Sequence, residues 1–128
     1  MAKILVTPDC GNAPRKLFLK NFHEAIANGK ADVLIMLLPD TIKFSLVGED
    51  EVQGKQNVLK SIKASPLWKV KELKVDTIIT HGPDASVSGE VIGQHKQRTA
   101  FSIVYRFKSA GGMELRSISC FIIVINQE

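Results

Sequence analysis

The chain is short of the residues on which several classes of protein depend. It has 2 cysteines in 128 residues, too few to staple a small secreted domain, and Cys10 and Cys120 form no short-spaced motif. Both are expected as free thiols, Cys10 in an N-terminal leader and Cys120 inside an apolar strand. Aromatic residues make up only 6%, with 1 tryptophan and 1 tyrosine. No apolar run approaches the roughly 20 residues of a membrane helix, and the strongest is Phe121 to Ile125. The apolar stretch near the N-terminus is too short for a secretory signal. The expectation is a cytoplasmic protein with no membrane partner.

Catalytic and ligating signatures are equally scarce. The 3 histidines are His23, His81 and His95. No two of them stand four apart on a helix and none has a nearby cysteine, so no metal site is expected. His23 lies beside Glu24 and reads as a flank residue of its helix rather than a core one. No phosphate-loop pattern precedes Gly54-Lys55. No nucleophile elbow surrounds the strand serines Ser45, Ser88, Ser102, Ser117 and Ser119. The three acids Glu49, Asp50 and Glu51 sit together on a loop and read as solvated. No cofactor is implied.

The formal net charge is +4, which raises the question of nucleic acid. Lys60, Lys63, Lys69, Lys71 and Lys74 crowd one region, but Glu72 and Asp76 interrupt them and Trp68 is the only aromatic among them. Basic stripes that bind nucleic acid couple to a recognised motif or to stacking aromatics. The lysines read as a solvated face, and no nucleic-acid partner is expected.

What is present is the pattern of one globular domain. Hydrophobic residues are 45% and charged residues 23%, and the length suits a single core. Residues 1–12 read as a partly mobile leader with a short strand at Ile4 to Val6, and residues 13–128 as one domain. Asn12 and Pro14 suit a helix start, and Phe18, Phe22, Ala25 and Ile26 form its apolar stripe. Asn28-Gly29 is the stop. A short helix follows from Asp32 to Leu38, capped by Asp32 and ended by Pro39. Thr41 to Val47 alternates as a strand, and Lys55 to Ser65 is a third helix.

After Trp68 the spacing changes to strands: Lys71–Thr80, Ala85–Gly93, Arg98–Lys108 and Met113–Asn126, the last two joined by a tight turn at Gly111-Gly112. Helices first and an antiparallel run last is the α+β pattern. In the final strand Leu115, Phe121, Ile123 and Ile125 read on one face, with Ile118, Ile122 and Val124 on the other. Three helices cannot cover a sheet that is apolar on both sides, so a homodimer through the outer sheet face is expected. Arg98, Arg106 and Arg116 are expected to pair across strands, or, turned inward, to clamp a carboxylate ligand.

The stretch Phe22-His23-Glu24-Ala25-Ile26-Ala27-Asn28-Gly29-Lys30-Ala31-Asp32, the segment Val47-Gly48 through Gly54 with its helix, and Val104-Tyr105-Arg106-Phe107 followed by Gly111-Gly112 carry a resemblance. Their order, over residues 13 to 126, resembles the nuclear transport factor 2-like superfamily, in its polyketide-cyclase-like and ketosteroid-isomerase-like branch. The resemblance implies an α+β cone, a curved antiparallel sheet wrapped around three N-terminal helices (a cystatin-like roll), with a pocket inside. It also places Phe22, Ser45 and Ile103 where the isomerase branch has a tyrosine donor, an aspartate base and a protonated aspartate. None of the three can do that work, so ketosteroid-isomerase chemistry is not expected.

Three readings of function follow. The leading one is a domain that binds a small apolar or amphipathic ligand in the cone, lined by Phe18, Phe22, Phe44, Phe101, Ile103 and Tyr105 with Ser45 as polar anchor. The second is an isomerase, cyclase or hydrolase with another pocket acid or base, for which Asp40, Asp76 and Glu90 are the candidates. The third is a dimerising protein-interaction module, which predicts a filled cone.

Overall fold

The computed structural model describes residues 1–7 and 13–125. Cys10, the expected capping residue Asn12 and the expected strand end at Asn126 lie outside these described residues. The order of elements is β1 (Lys3–Val6), α1 (Pro14–Ala27), α2 (Ala31–Leu37), β2 (Lys43–Leu46), β3 (Val52–Gln53), α3 (Lys55–Lys63), β4 (Glu72–His81), β5 (Asp84–Ile92), β6 (Arg98–Phe107) and β7 (Leu115–Ile125). The seven strands form one sheet in the order β1-β4-β5-β6-β7-β2-β3. The four long strands are antiparallel neighbours. The sheet is nevertheless mixed, because β1 runs parallel to β4 and β2 parallel to β7. Parallel neighbours need long connections: β1 is joined to β4 through all three helices, and β2 to β7 through α3 and the intervening strands.

Period-two alternation sorts the long strands into faces. On β5, Ala85, Val87 and Val91 are buried, and on β6 so are Phe101, Ile103, Tyr105 and Phe107. This inner face packs on α1 through Leu19, Phe22 and Ile26 and on α3 through Val58 and Ile62, all buried. Removing that apolar area from water is the main favourable term in holding the helices to the sheet.

Two bulges bend the sheet. One lies between Val75 and Thr77 on β4, opposite Gly89 and Ser88 of β5. The other lies where Arg106 faces Ser117 but Phe107 faces Leu115, leaving Arg116 the extra residue. An extra residue on one strand sharpens the local twist and curls the sheet. The second bulge also corrects the reading of β7. Leu115 is buried on the inner face, because the slip at Arg116 reverses the alternation that would have put it beside Phe121.

Local signals account for the element ends. Gly29 has a φ of +67°, the left-handed conformation expected after Asn28, and a Cβ there would strike the Lys69 side chain. α2 begins after Lys30 with no side-chain cap, so Asp32 is a first-turn residue and not the cap. Its carboxylate still complements the positive end of the helix. The β6–β7 connection spans residues 108–114, longer than a tight glycine turn, and its backbone closes through Lys108 N–H to Glu114 C=O. Arg15 at the start of α1 donates to the carbonyls of Gly82, Ser109 and Gly112 and lies 4.2 Å over the Phe107 ring centroid. One guanidinium thereby fastens α1 to both turns at that end of the sheet.

Candidate functional site

The cone interior is packed with aromatic rings. Phe22 on α1 meets Tyr105 of β6 edge-on at 5.8 Å. Phe18 leans on Phe22 and on Phe107. Behind these rings, Phe22, Phe44, Ile103, Tyr105, Ile118 and Cys120 enclose a cavity of only about 10 Å³, barely the space of one water. Of the seven pocket residues expected from the sequence, Phe22, Phe44, Ile103 and Tyr105 line this space. Phe101 stacks on His23 instead, at 5.3 Å. Ser45 alternates with Phe44 and pairs with Ser119 of β7, which puts it on the other face of β2 and outside the cavity.

His23 is the residue that sequence reasoning misplaced. It is 3% exposed, not on the helix flank, and its Nε2 lies 2.7 Å from the Tyr105 hydroxyl in a buried hydrogen bond whose direction the imidazole tautomer sets. The apolar stripe of α1 is wide enough to include a histidine once a tyrosine faces it from the sheet. Burial lowers the His23 pKa to about 3, so the imidazole is neutral at ordinary pH. Burial, with a smaller contribution from Cys120, raises the Tyr105 phenol well above its usual range. Burial likewise pushes the Cys120 thiol up to about 12. All three groups are held uncharged, and an inert thiol in an apolar wall is a packing element.

The carboxylates lie elsewhere. Asp40 is exposed and pairs with Lys55 at 3.3 Å. Asp76 is exposed beside Lys74. Glu90 takes both of its hydrogen bonds from Arg98 on the outer sheet face, at 3.0 and 2.9 Å, and Arg106 donates to Asp84 beside it at 2.9 Å. Neither arginine turns into the cone. Among the described residues no group of three His, Cys, Asp or Glu side chains has the placement to hold a metal ion.

The open space is at the mouth. Between α3 and the strands β2, β3 and β7 lies a cleft of about 600 Å³, with Phe44, Leu46, Val52 and Ile122 as its apolar walls and Glu49 and Asp50 at its rim. Phe44 and Ser65 belong to both this cleft and the small cavity behind it, so these two residues form the partition between them. The cleft volume is in the range of small-ligand sites. His23 lines neither space.

No helix among the described residues is long and apolar enough to cross a membrane. No family model matches the chain, and no curated protein matches it in sequence. Solved structures do match in shape. An NTF2-like protein of unknown function from Burkholderia xenovorans superposes with a TM-score of 0.74 at 12% identity, over 89% of this chain and 86% of the other. A second, from Cytophaga hutchinsonii, gives 0.67 at 13% identity, over 88% and 93%. The epoxide hydrolase/cyclase-like enzyme SalBIII, of pyran ring formation in the polyether salinomycin, gives 0.63 at 12% identity, over 85% and 90%. The order of elements, the curled sheet and these superpositions agree: the chain has the nuclear transport factor 2-like fold.

Proposed function

We propose that the protein is a cytoplasmic, homodimeric binding domain that takes a small amphipathic ligand at the mouth of its cone. The observation that carries this reading is the cleft of about 600 Å³ lined by Phe44, Leu46, Val52 and Ile122. A ligand's apolar part would lie on Phe44, Leu46, Val52 and Ile122, and its polar part would face Glu49, Asp50 and solvent. The interior itself is occupied by Phe22, Ile103 and Tyr105, so the ligand rests at the mouth rather than behind the partition. The buried free thiol of Cys120 accords with a reducing compartment.

Dimerisation is supported by the outer sheet face. Ile79, Val104, Phe121 and Ile123 are exposed there. Between them the register sets small residues, Ser86, Ser88, Ala100 and Ser102, over which a second sheet can approach closely. The filled interior favours a second reading, a dimerising protein-interaction module that uses the same face. The isomerase, cyclase or hydrolase reading has only the fold of relatives such as SalBIII behind it, and fold does not carry chemistry.

The test is a thermal-shift screen with apolar amines, apolar carboxylic acids and steroids, on the native chain and on Ser61→Trp, which places an indole in the cleft from α3. A ligand at about 100 times its Kd should stabilise the native chain by about 2.7 kcal/mol and leave Ser61→Trp unshifted. Absence of any shift across the panel would favour the interaction module.

A further inference from the structure

A second cleft, of about 480 Å³, lies at the β2–β3 edge of the sheet and is lined by Thr41, Lys43, Gln53, Lys108 and Arg116. It shares no residue with the mouth cleft. Three strands bring its cations together. Lys43 stands opposite Gln53 on one side and Ser117 on the other. Arg116 is the extra residue of the β7 bulge, the kind of irregularity that re-aims a side chain, and it is exposed. Lys108 continues from β6 and is paired to Glu114 at 2.8 Å. Among the described residues neither Lys43 nor Arg116 has an ion-pair partner. Three cations therefore share one cleft, and among the described residues only Lys108 of the three has an ion-pair partner, so their mutual repulsion favours an anion between them.

The geometry points to an oxyanion site at this edge that takes the phosphoryl group of a small phosphate monoester. Arg116 supplies a planar fork for two oxygens, and Lys43 and Lys108 supply point charges. The Thr41 hydroxyl and Gln53 amide add neutral donors. That is more donors than a two-oxygen carboxylate can occupy, and more charge than a monoanion balances. The volume leaves room for an organic remainder beyond the phosphoryl group.

Calorimetric titration with inorganic phosphate, at constant ionic strength, tests the assignment, with acetate as the comparison anion. Saturable phosphate binding is expected, at least about tenfold tighter than acetate. Lys43→Gln combined with Arg116→Gln should weaken it by at least about tenfold, whereas Lys60→Gln combined with Lys63→Gln on α3, the same change in net charge, should leave it intact. Both pairs are at the surface, and thermal unfolding checks that each variant is folded. No saturable phosphate binding, equal affinity for acetate, or equal loss in the two double variants would each overturn the proposal.

Discussion

At the scale of single residues, the His23–Tyr105 pair sets an acid limit on the fold. A neutral buried imidazole with a folded pKa near 3, against an ordinary 6.5, takes up its proton only after the unfolded chain has done so. Between these values the unfolded state binds more protons, so stability is full above pH 6.5 and falls as the pH drops towards 3. The slope is about 1.4 kcal/mol per pH unit, and the whole loss is on the order of 5 kcal/mol. Urea midpoints at pH 7.5, 5.5 and 4.5 should therefore fall further for the native chain than for His23→Gln, which keeps a polar partner for Tyr105 without a titrating ring. Parallel curves for the two proteins would mean that His23 is not the group responsible. The pair also shows the limit of reading one helix at a time. The 3.6-residue stripe through Phe18, Phe22 and Ile26 is legible in sequence, but His23 becomes a core residue only because Tyr105, 82 positions away, supplies its hydrogen bond.

At the scale of elements, the curl of the sheet rests on backbone approach as much as on side chains. Gly89 is buried in β5 opposite the β4 bulge. A Cβ built there would press on the Lys74 carbonyl and on the Val75 backbone, and backbone cannot rotate away as a side-chain tip can. Gly89→Ala should cost about 3 kcal/mol or more, seen as a drop in urea midpoint, whereas Gly111→Ala, with open space around it, should be close to neutral. Similar losses at both glycines would refute the close-approach account. The positions of the four long strands and of β2 follow from alternation in the sequence, with ends that differ by a few residues, while β3 lies in a stretch that reads as a loop. The bulges at Asp76 and Arg116 leave no comparable mark, because an extra residue in one strand is defined only against the partner it slips past.

At the scale of the whole molecule, the outer sheet face bears on assembly. Ile123 is 69% exposed and Phe121 46%, and they stand on β7 beside the small residues Ala100 and Ser102 of β6. Covering Ile79, Val104, Phe121 and Ile123 with a second copy would remove an apolar patch from water. Light scattering should give twice the chain mass for the native protein and the chain mass for Ile123→Asp, because a desolvated carboxylate at the centre of such an interface is heavily penalised. A monomeric native protein at micromolar concentration would remove the homodimer from the proposed function and leave the mouth cleft standing.

The α+β class, the three helices and the four long strands are legible in the sequence, because each is written in local periodicity and in stop signals such as Asn28-Gly29. The two-residue strand β3, by contrast, falls in what reads as an acidic loop and is too short to show a period. The sequence by itself also determined that Phe22, Ser45 and Ile103 cannot supply the donor, base and acid that the resemblance would require there, since residue chemistry does not depend on placement. Only the tertiary structure decided that the cone interior is filled, that Ser45 faces away from it, and that the open volume lies at the mouth over Phe44. Those outcomes depend on how deeply α1 settles between its neighbours and on which face a strand presents after a bulge. Both are set by contacts between segments far apart in the chain.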